Sequence, residues 1–399
     1  MNTRKKKRHN LKSGEKLEML RPLPRTVILT VLLFCLNITS NKAFGYYKNA
    51  GLWVVRNQLK SKKNIDNVIN FAKDNGITDL FVQVIGRGEA FYNTDIIPET
   101  QYVNASRIDP LAYFCEKADQ YDLNIHAWVN ILLVWSKPEL AWKKNHFVNK
   151  YKSWFMVDKT NRSILQPTQE ELKSRGIEGR FLSPAIPGLR ELYKLIVQDL
   201  INNYEISGVH LDYIRYPSQD YGYHSYLRNN FKKQTGLDPI YLHKSRLLVE
   251  YSDVEKLKDE WNRFRMNSLD SLVSDISRIT RAKDSILLSA AVKPDPEIAR
   301  TKYLQNWGGW LEEDIIDFVV VMNYASDQEE FVKITSKLNQ LEHQNRIWMG
   351  IGTYNQSPVV TDKQVTVSIM NDYPGIVLFS YQSILNKNIF IKKYGLDKY

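Results

Sequence analysis

The chain has 399 residues, 43% of them hydrophobic and 25% charged, a globular composition with enough apolar mass for a large core. Its formal charge of +11 suggests nucleic-acid binding, but residues 1–45 hold ten Lys/Arg against Glu15 and Glu18, while the remainder holds 45 basic and 42 acidic groups. The body is therefore near neutral, a basic groove for phosphate backbones is not indicated, and no nucleic-acid partner is expected.

In chain order, a basic segment (RKKKRHNLK) comes first and the apolar run at 27–36 (VILTVLLFCL) follows. That run is shorter than the roughly 20 residues needed to span a bilayer. Ala43-Phe44-Gly45 then places small residues at −3 and −1 of a cleavage point. Residues 1–45 are expected to be a signal peptide, with an uncleaved N-terminal membrane anchor as the alternative. The protein is then exported, periplasmic or secreted, and meets a membrane only through the leader. Cys115, the one cysteine left after cleavage, has no internal disulfide partner and reads as a small buried apolar residue.

From residue 51 onward, short β-rich runs alternate with helical segments. The expected strands are 51–56 (GLWVVR), 79–85 (DLFVQVI), 124–130 (NIHAWVN), 208–214 (GVHLDYI), 286–292 (ILLSAAV), 318–323 (FVVVMN), 347–352 (IWMGIG) and 375–381 (GIVLFSY). Near-continuous apolar runs of this kind suit parallel strands covered on both faces. Between them, Ile65, Val68, Ile69 and Ala72 have helical spacing with Asn75-Gly76 as a stop. Asp109-Pro110 opens a second helix, and Leu257, Trp261, Phe264, Leu272, Val273, Ile276 and Ile279 mark a long amphipathic one. Eight such alternations predict an α/β fold, a single-domain (β/α)8 TIM barrel over 46–399. An open doubly wound sheet is disfavoured, because no Gly-rich dinucleotide loop follows the first strand. Two long connections, after strands 3 and 4, carry Trp135, Trp142 and Trp154, then Tyr221, Tyr223, His224 and Tyr226. They are expected to wall or cover a cleft, or else to pad the barrel rim.

In a barrel, polar groups at the C-terminal ends of strands are the catalytic candidates. Asp212 stands out, because a carboxylate within an apolar strand is costly unless it is paired or hydrogen-bonded. His210 shares its face and Arg215 is placed to hold it ionised. The structural alternative is an aspartate that ties loops to the barrel through Arg215, and His210 reads equally as a core histidine. Glycoside hydrolysis needs two carboxyl groups, one ionised and one protonated. Asp212 would be the ionised nucleophile and Asp295 the acid, although Pro-Asp-Pro is also natural turn chemistry. Glu89 and Asp327 remain candidates; Glu89 lies beside Arg87, which would lower its pKa. Substrate-binding candidates at the strand ends are Arg87, Tyr92, His126, Trp128, Asn130, His210, Tyr213, Arg215, Lys293, Asn323, Tyr324, Tyr354 and Tyr381. No Cys/His set has zinc spacing, so no metal and no cofactor is expected.

The stretches GRGEAFYNTDIIPET, IDPLAYFCEKADQYDLNIHAWVN, GVHLDYIRYP and DFVVVMNYA resemble glycosyl hydrolase-like family 10, and the resemblance spans residues 51–381. It implies a TIM-barrel glycosidase related to the α-amylase-type superfamily. There the nucleophile is an Asp ending the fourth strand, which Asp212 matches. The superfamily's acid is a Glu after the fifth strand, where this chain has Ala-Val-Lys-Pro-Asp. Glu89 stands where the family commonly has Asp. A polysaccharide or oligosaccharide of the cell envelope or surroundings is the implied substrate. A non-catalytic glycan-binding barrel is the competing reading. A metal-dependent polysaccharide deacetylase lacks its ligand spacing here.

Overall fold

The computed structural model describes residues 49–105, 108–139, 141, 143–243 and 251–387. The expected leader at 1–45 and Trp142 lie outside the described residues. Eight parallel strands form the centre: β1 (Asn49–Val54), β2 (Asp79–Gly86), β3 (Asn124–Asn130), β4 (Gly208–Asp212), β5 (Leu287–Val292), β6 (Phe318–Asn323), β7 (Ile347–Gly352) and β8 (Gly375–Phe379). Each pairs with its neighbours in sequence order, and β1 pairs with both β2 (Gly51 opposite Asp79) and β8 (Gly51 opposite Val377). The sheet therefore closes, as the alternation predicts. Nearly every strand residue is buried, because helices cover the outer face and inward side chains packing across the barrel fill the inner one.

Three strands end two residues earlier than expected, β1 at Val54 among them. β4 stops at Asp212 because Tyr213 turns into the left-handed region (φ 53°), and β8 stops at Phe379 just before a helix that starts at Tyr381. Around the barrel run α1 (Lys62–Asp74), α2 (Pro110–Asp119), α3 (Pro187–Asn203), α4 (Tyr251–Thr280), α5 (Pro296–Tyr303), α6 (Gln328–Leu338) and α7 (Pro358–Met370). α1 buries Ile65, Val68, Ile69 and Ala72, and Ser61 caps it by accepting from the Asn64 N–H. α2 begins at its proline, with Asp109 accepting from the N–H groups of Leu111 and Ala112. Among the described residues, no helix is long and apolar enough to cross a membrane.

The barrel interior is aromatic: Trp53, Phe81, Trp128, Phe318 and Trp348 pack with Ala291, Val320 and Val377. Glycine on neighbouring strands makes room for rings of this size. A Cβ at Gly375 would lie 2.4 Å from the Trp348 ring, and one at Gly208 would lie 2.6 Å from His126 Nδ1. The connection after β3 folds over the mouth. Its Leu133–Trp135 segment pairs antiparallel with Arg180–Phe181, and a short helix (Gln169–Ser174) is held by a reciprocal Thr168/Glu171 cap. The connection after β4 packs Tyr223, Leu227, Phe231 and Leu242 against Trp261 of α4.

Candidate active site

A cavity of about 500 Å³ opens at the C-terminal mouth of the barrel. Trp53, Trp128, Trp135, Tyr324, Tyr354 and Phe379 wall it, and its charged lining consists of Asp212, Glu178, Arg56, Arg87, Arg215 and Lys293. Asp212 comes from the last position of β4, and the left-handed turn at Tyr213 brings the Tyr213 N–H within 2.6 Å of Asp212 Oδ1. The other oxygen, Oδ2, accepts from Trp128 Nε1 at 3.1 Å. Burial pushes the Asp212 carboxyl up to about 6, against the pull of the Tyr213 N–H, the Arg215 charge and the Trp128 bond.

Glu178 arrives from the connection after β3. Burial would raise its pKa, but the Arg215 charge and hydrogen bond outweigh that and hold it below the usual carboxylate range. Arg215 is buried and donates from Nη2 to Glu178 Oε1 at 2.6 Å. Its guanidinium also lies over the rings of Tyr213, Tyr303 and Phe181 at 5.1, 5.3 and 5.8 Å. The far ends of this pair, Arg215 Nη1 and Glu178 Oε2, are buried with no partner among the described residues. Buried polar atoms are rarely left so, and unpaired groups in a cleft are suited to a ligand. Lys293, after β5, is pushed down to about 8 by burial and by the Arg215 charge.

The structure brings nine of the expected residues to this cavity: Asp212, Arg87, Trp128, Asn130, Tyr213, Arg215, Lys293, Tyr324 and Tyr354. His126 and His210 share the inward face but lie deeper. His126 bonds Asp79 at 3.0 Å and stacks on Phe81. His210 bonds Ser289 Oγ at 2.9 Å and accepts from Trp53 Nε1 at 3.3 Å. Burial first, then the neighbouring His126, holds His210 neutral. Both are floor residues rather than cleft contacts.

Asp295 does not join Asp212. Its carboxylate caps α5, accepting from the N–H groups of Glu297 and Ile298, and meets Lys337 Nζ at 2.6 Å. Asp327 caps α6 in the same way through the Glu330 N–H. Glu89 faces an adjoining pocket and pairs with Lys143 at 2.8 Å. Tyr92 is fully buried against Tyr204, Asn323 donates to the Phe331 carbonyl, and Tyr381 packs on Phe71; none of the three lines the cavity.

Sequence reasoning missed Glu178, Arg56, Gln83 and Trp53. Trp53 was within reach, since alternation along β1 from Gly51 turns it inward. Glu178 had no local signal, because a loop rather than a strand end delivers it. Among the described residues, no group of three or more His, Cys, Asp or Glu is arranged to hold a metal ion.

A closed (β/α)8 barrel with two carboxyl groups and aromatic walls in its mouth is a glycoside hydrolase-like TIM barrel. The chain belongs to the glycosyl hydrolase-like 10 family, whose model matches residues 38–367. Among solved structures it is similar to the glycoside hydrolase domain of PgaB (BpsB) from Bordetella bronchiseptica, with 13% identity, a TM-score of 0.63, and coverage of 86% of this chain and 98% of that one. It is also similar to the alpha-L-fucosidase isoenzyme 2 of Paenibacillus thiaminolyticus (12% identity, TM-score 0.61, 88% and 49% covered) and the beta-amylase catalytic domain of Paenibacillus polymyxa (11%, 0.56, 87% and 97%). At these identities the likeness is one of fold. An S-layer-related protein of Niallia circulans is 20% identical over 269 residues, which is 61% of this chain but 16% of that protein.

Proposed function

We propose that this chain is an exported glycoside hydrolase that cleaves a polysaccharide of the cell envelope or its surroundings, with Asp212 and Glu178 as its reacting carboxyl groups. One observation carries this reading. Two carboxyl groups line one mouth, and their surroundings push them apart, Asp212 up to about 6 and Glu178 below its ordinary range. Such a split divides acid from base work between two like groups. Asp212 then protonates the leaving oxygen, while ionised Glu178, held by Arg215, opposes the positive charge that grows on the sugar or activates water. Trp53, Trp128, Trp135 and Tyr354 supply faces for sugar rings. The basic-then-apolar leader and the S-layer-related relative support an exported location.

A second reading keeps Asp212 as nucleophile, the role implied for an Asp ending the fourth strand. It is favoured by the Tyr213 and Trp128 N–H groups, which hold the Asp212 anion. The pH profile separates the two. If Asp212 is the acid, kcat/KM falls as pH rises past about 6. If it is the nucleophile, kcat/KM falls as pH drops below that value.

The primary test incubates wild type, Asp212→Asn and Glu178→Gln with peptidoglycan and a panel of polysaccharides, and reads new reducing ends. Release by wild type and loss in both variants supports the proposal. Equal release by all three removes the two residues from the chemistry. Binding without release by wild type points to a non-catalytic glycan-binding barrel.

A further inference from the structure

A second cavity of about 320 Å³ adjoins the first and shares Arg56, Arg87 and Trp135 with it. The first has four cations against Asp212 and Glu178, and the second adds Lys60, Lys137 and Lys143 against Glu89. This concentration is local, since the chain beyond residue 45 holds 45 basic and 42 acidic groups.

Not all of these cations are free to act on a ligand. Lys143 is committed to Glu89 and to the Glu99 carbonyl, and Lys60 lies over the Tyr102 ring at 4.5 Å. Arg56 and Arg87 differ from them. Arg56 Nη1 donates to Gln83 Oε1 at 2.8 Å, and Arg87 Nε donates to Ser136 Oγ at 3.3 Å, both neutral acceptors. Among the described residues, neither guanidinium has a carboxylate within ion-pair distance. Their charges oppose one another: burial first, then the Arg87 charge, pushes Arg56 down to about 10. Arg87 is set at the seam by an unusual backbone, φ 57°, followed by Gly88 at φ 70°. The nearest carboxylate, Glu89, is paired to Lys143, and two like charges held together with no carboxylate bonded to either disfavour the empty site and favour an arriving anion. Guanidinium forks match the geometry of carboxylate, sulfate and phosphate groups.

We propose that the cleft accepts an acidic glycan, and that Arg56 and Arg87 bind an oxyanion on a sugar beside the one being cleaved. The inference rests on the glycosidase reading above and names the substrate class of that site. Arg215 Nη1, buried without a partner among the described residues, and Lys293 offer further donors on the reacting side.

The test is calorimetric binding at low salt, using Asp212→Asn protein throughout so that nothing is turned over. The probes are a tetrauronate, a sulfated tetrasaccharide and a phosphorylated tetrasaccharide, against neutral cellotetraose and chitotetraose. The expected result is that at least one acidic probe binds about tenfold or more tighter than both neutral ones, and the arm that does so identifies the oxyanion. Adding Arg56→Gln or Arg87→Gln should weaken that probe by about tenfold or more, the usual worth of a hydrogen bond to a charged group. Neutral probes should change less than about twofold, and Arg87→Lys should restore part of the loss. Neutral probes binding as tightly as every acidic one would overturn the inference without needing any variant to fold. So would an acidic preference that survives undiminished in both Gln variants. Failure of the hydrolase reading looks different: wild type would bind the acidic probe through Arg56 and Arg87 yet release no product.

Discussion

Asp212 and Asp295 lie at or just past the C-terminal ends of adjacent barrel strands, yet one faces the cleft and the other does not. Asp212 is the last residue of β4, so strand alternation from His210 aims it inward, and its two oxygens meet Trp128 Nε1 and the Tyr213 N–H. Asp295 lies three residues past the end of β5, next to the proline that starts α5, and its carboxylate meets the first free N–H groups of that helix. A carboxylate in a strand is directed by the sheet, whereas one before a Pro-initiated helix is claimed by the cap. Distance from the strand end therefore separates reacting candidates from structural ones better than residue type does.

The largest test of this contrast is catalytic. Asp212→Asn and Glu178→Gln should each lower kcat by about 10²–10⁴, the usual range for general acid–base groups, while Asp295→Asn should leave kcat within about twofold. Initial rates on whichever polysaccharide wild type cleaves decide it. A collapse of kcat in Asp295→Asn with full activity in Asp212→Asn would reverse the assignment. The next effect is on stability. Arg215→Met strips the counter-charge from Glu178, whose side chain is 38% exposed, so solvent screens part of the loss and the cost should be about 1–2 kcal/mol, read as a lower urea midpoint. The double variant Arg215→Met/Glu178→Leu should recover part of that loss, because no carboxylate is then left without its partner.

The barrel itself was legible because parallel strands buried on both faces read as apolar runs, and all eight were found with shifts of a residue or two at their ends. The inward face of β4 was legible too, since His210 and Asp212 alternate. Depth along the axis was not. His126 and His210 point inward like Asp212 but sit below it, among Phe81, Ser289 and Trp53, and alternation carries no information about height. Glu178 was hidden for a different reason: the pairing of Leu133–Trp135 with Arg180–Phe181 folds its loop over the mouth, a long-range event with no local signature. Averaging hid the Arg56–Arg87 seam, because a near-neutral body says nothing about where its charges gather.

A smaller effect sharpens the same comparison through pH. The Asp212 carboxyl sits at about 6 in the folded protein against roughly 3.9 unfolded. Its folded pKa is raised, so any stabilisation from the proton it holds is complete below about pH 4 and is lost as pH climbs through 6. Above that, the fold carries a buried negative charge. Asp212→Asn should therefore stabilise the protein by about 2 kcal/mol at about pH 8, with the difference from wild type vanishing toward about pH 4. Thermal melts of the two proteins across that range check it, and a gap that is constant with pH would deny the raised pKa.

The smallest effect belongs to Asp295. Asp295→Ala removes the α5 cap and the contact to Lys337, whose ammonium is half exposed. Loss of an N-cap carboxylate costs about 0.5–2 kcal/mol, while an ion pair this exposed adds little. Asp295→Ser should recover most of the loss, because a hydroxyl can accept from the same helix N–H groups. If stability instead follows charge, with Asp295→Glu restoring it and Asp295→Ser not, then Lys337 rather than the cap holds this corner. The contrast between the two aspartates would then lie in charge, Asp295 in an ion pair with Lys337 and Asp212 held by the Trp128 and Tyr213 N–H groups, rather than in strand against helix.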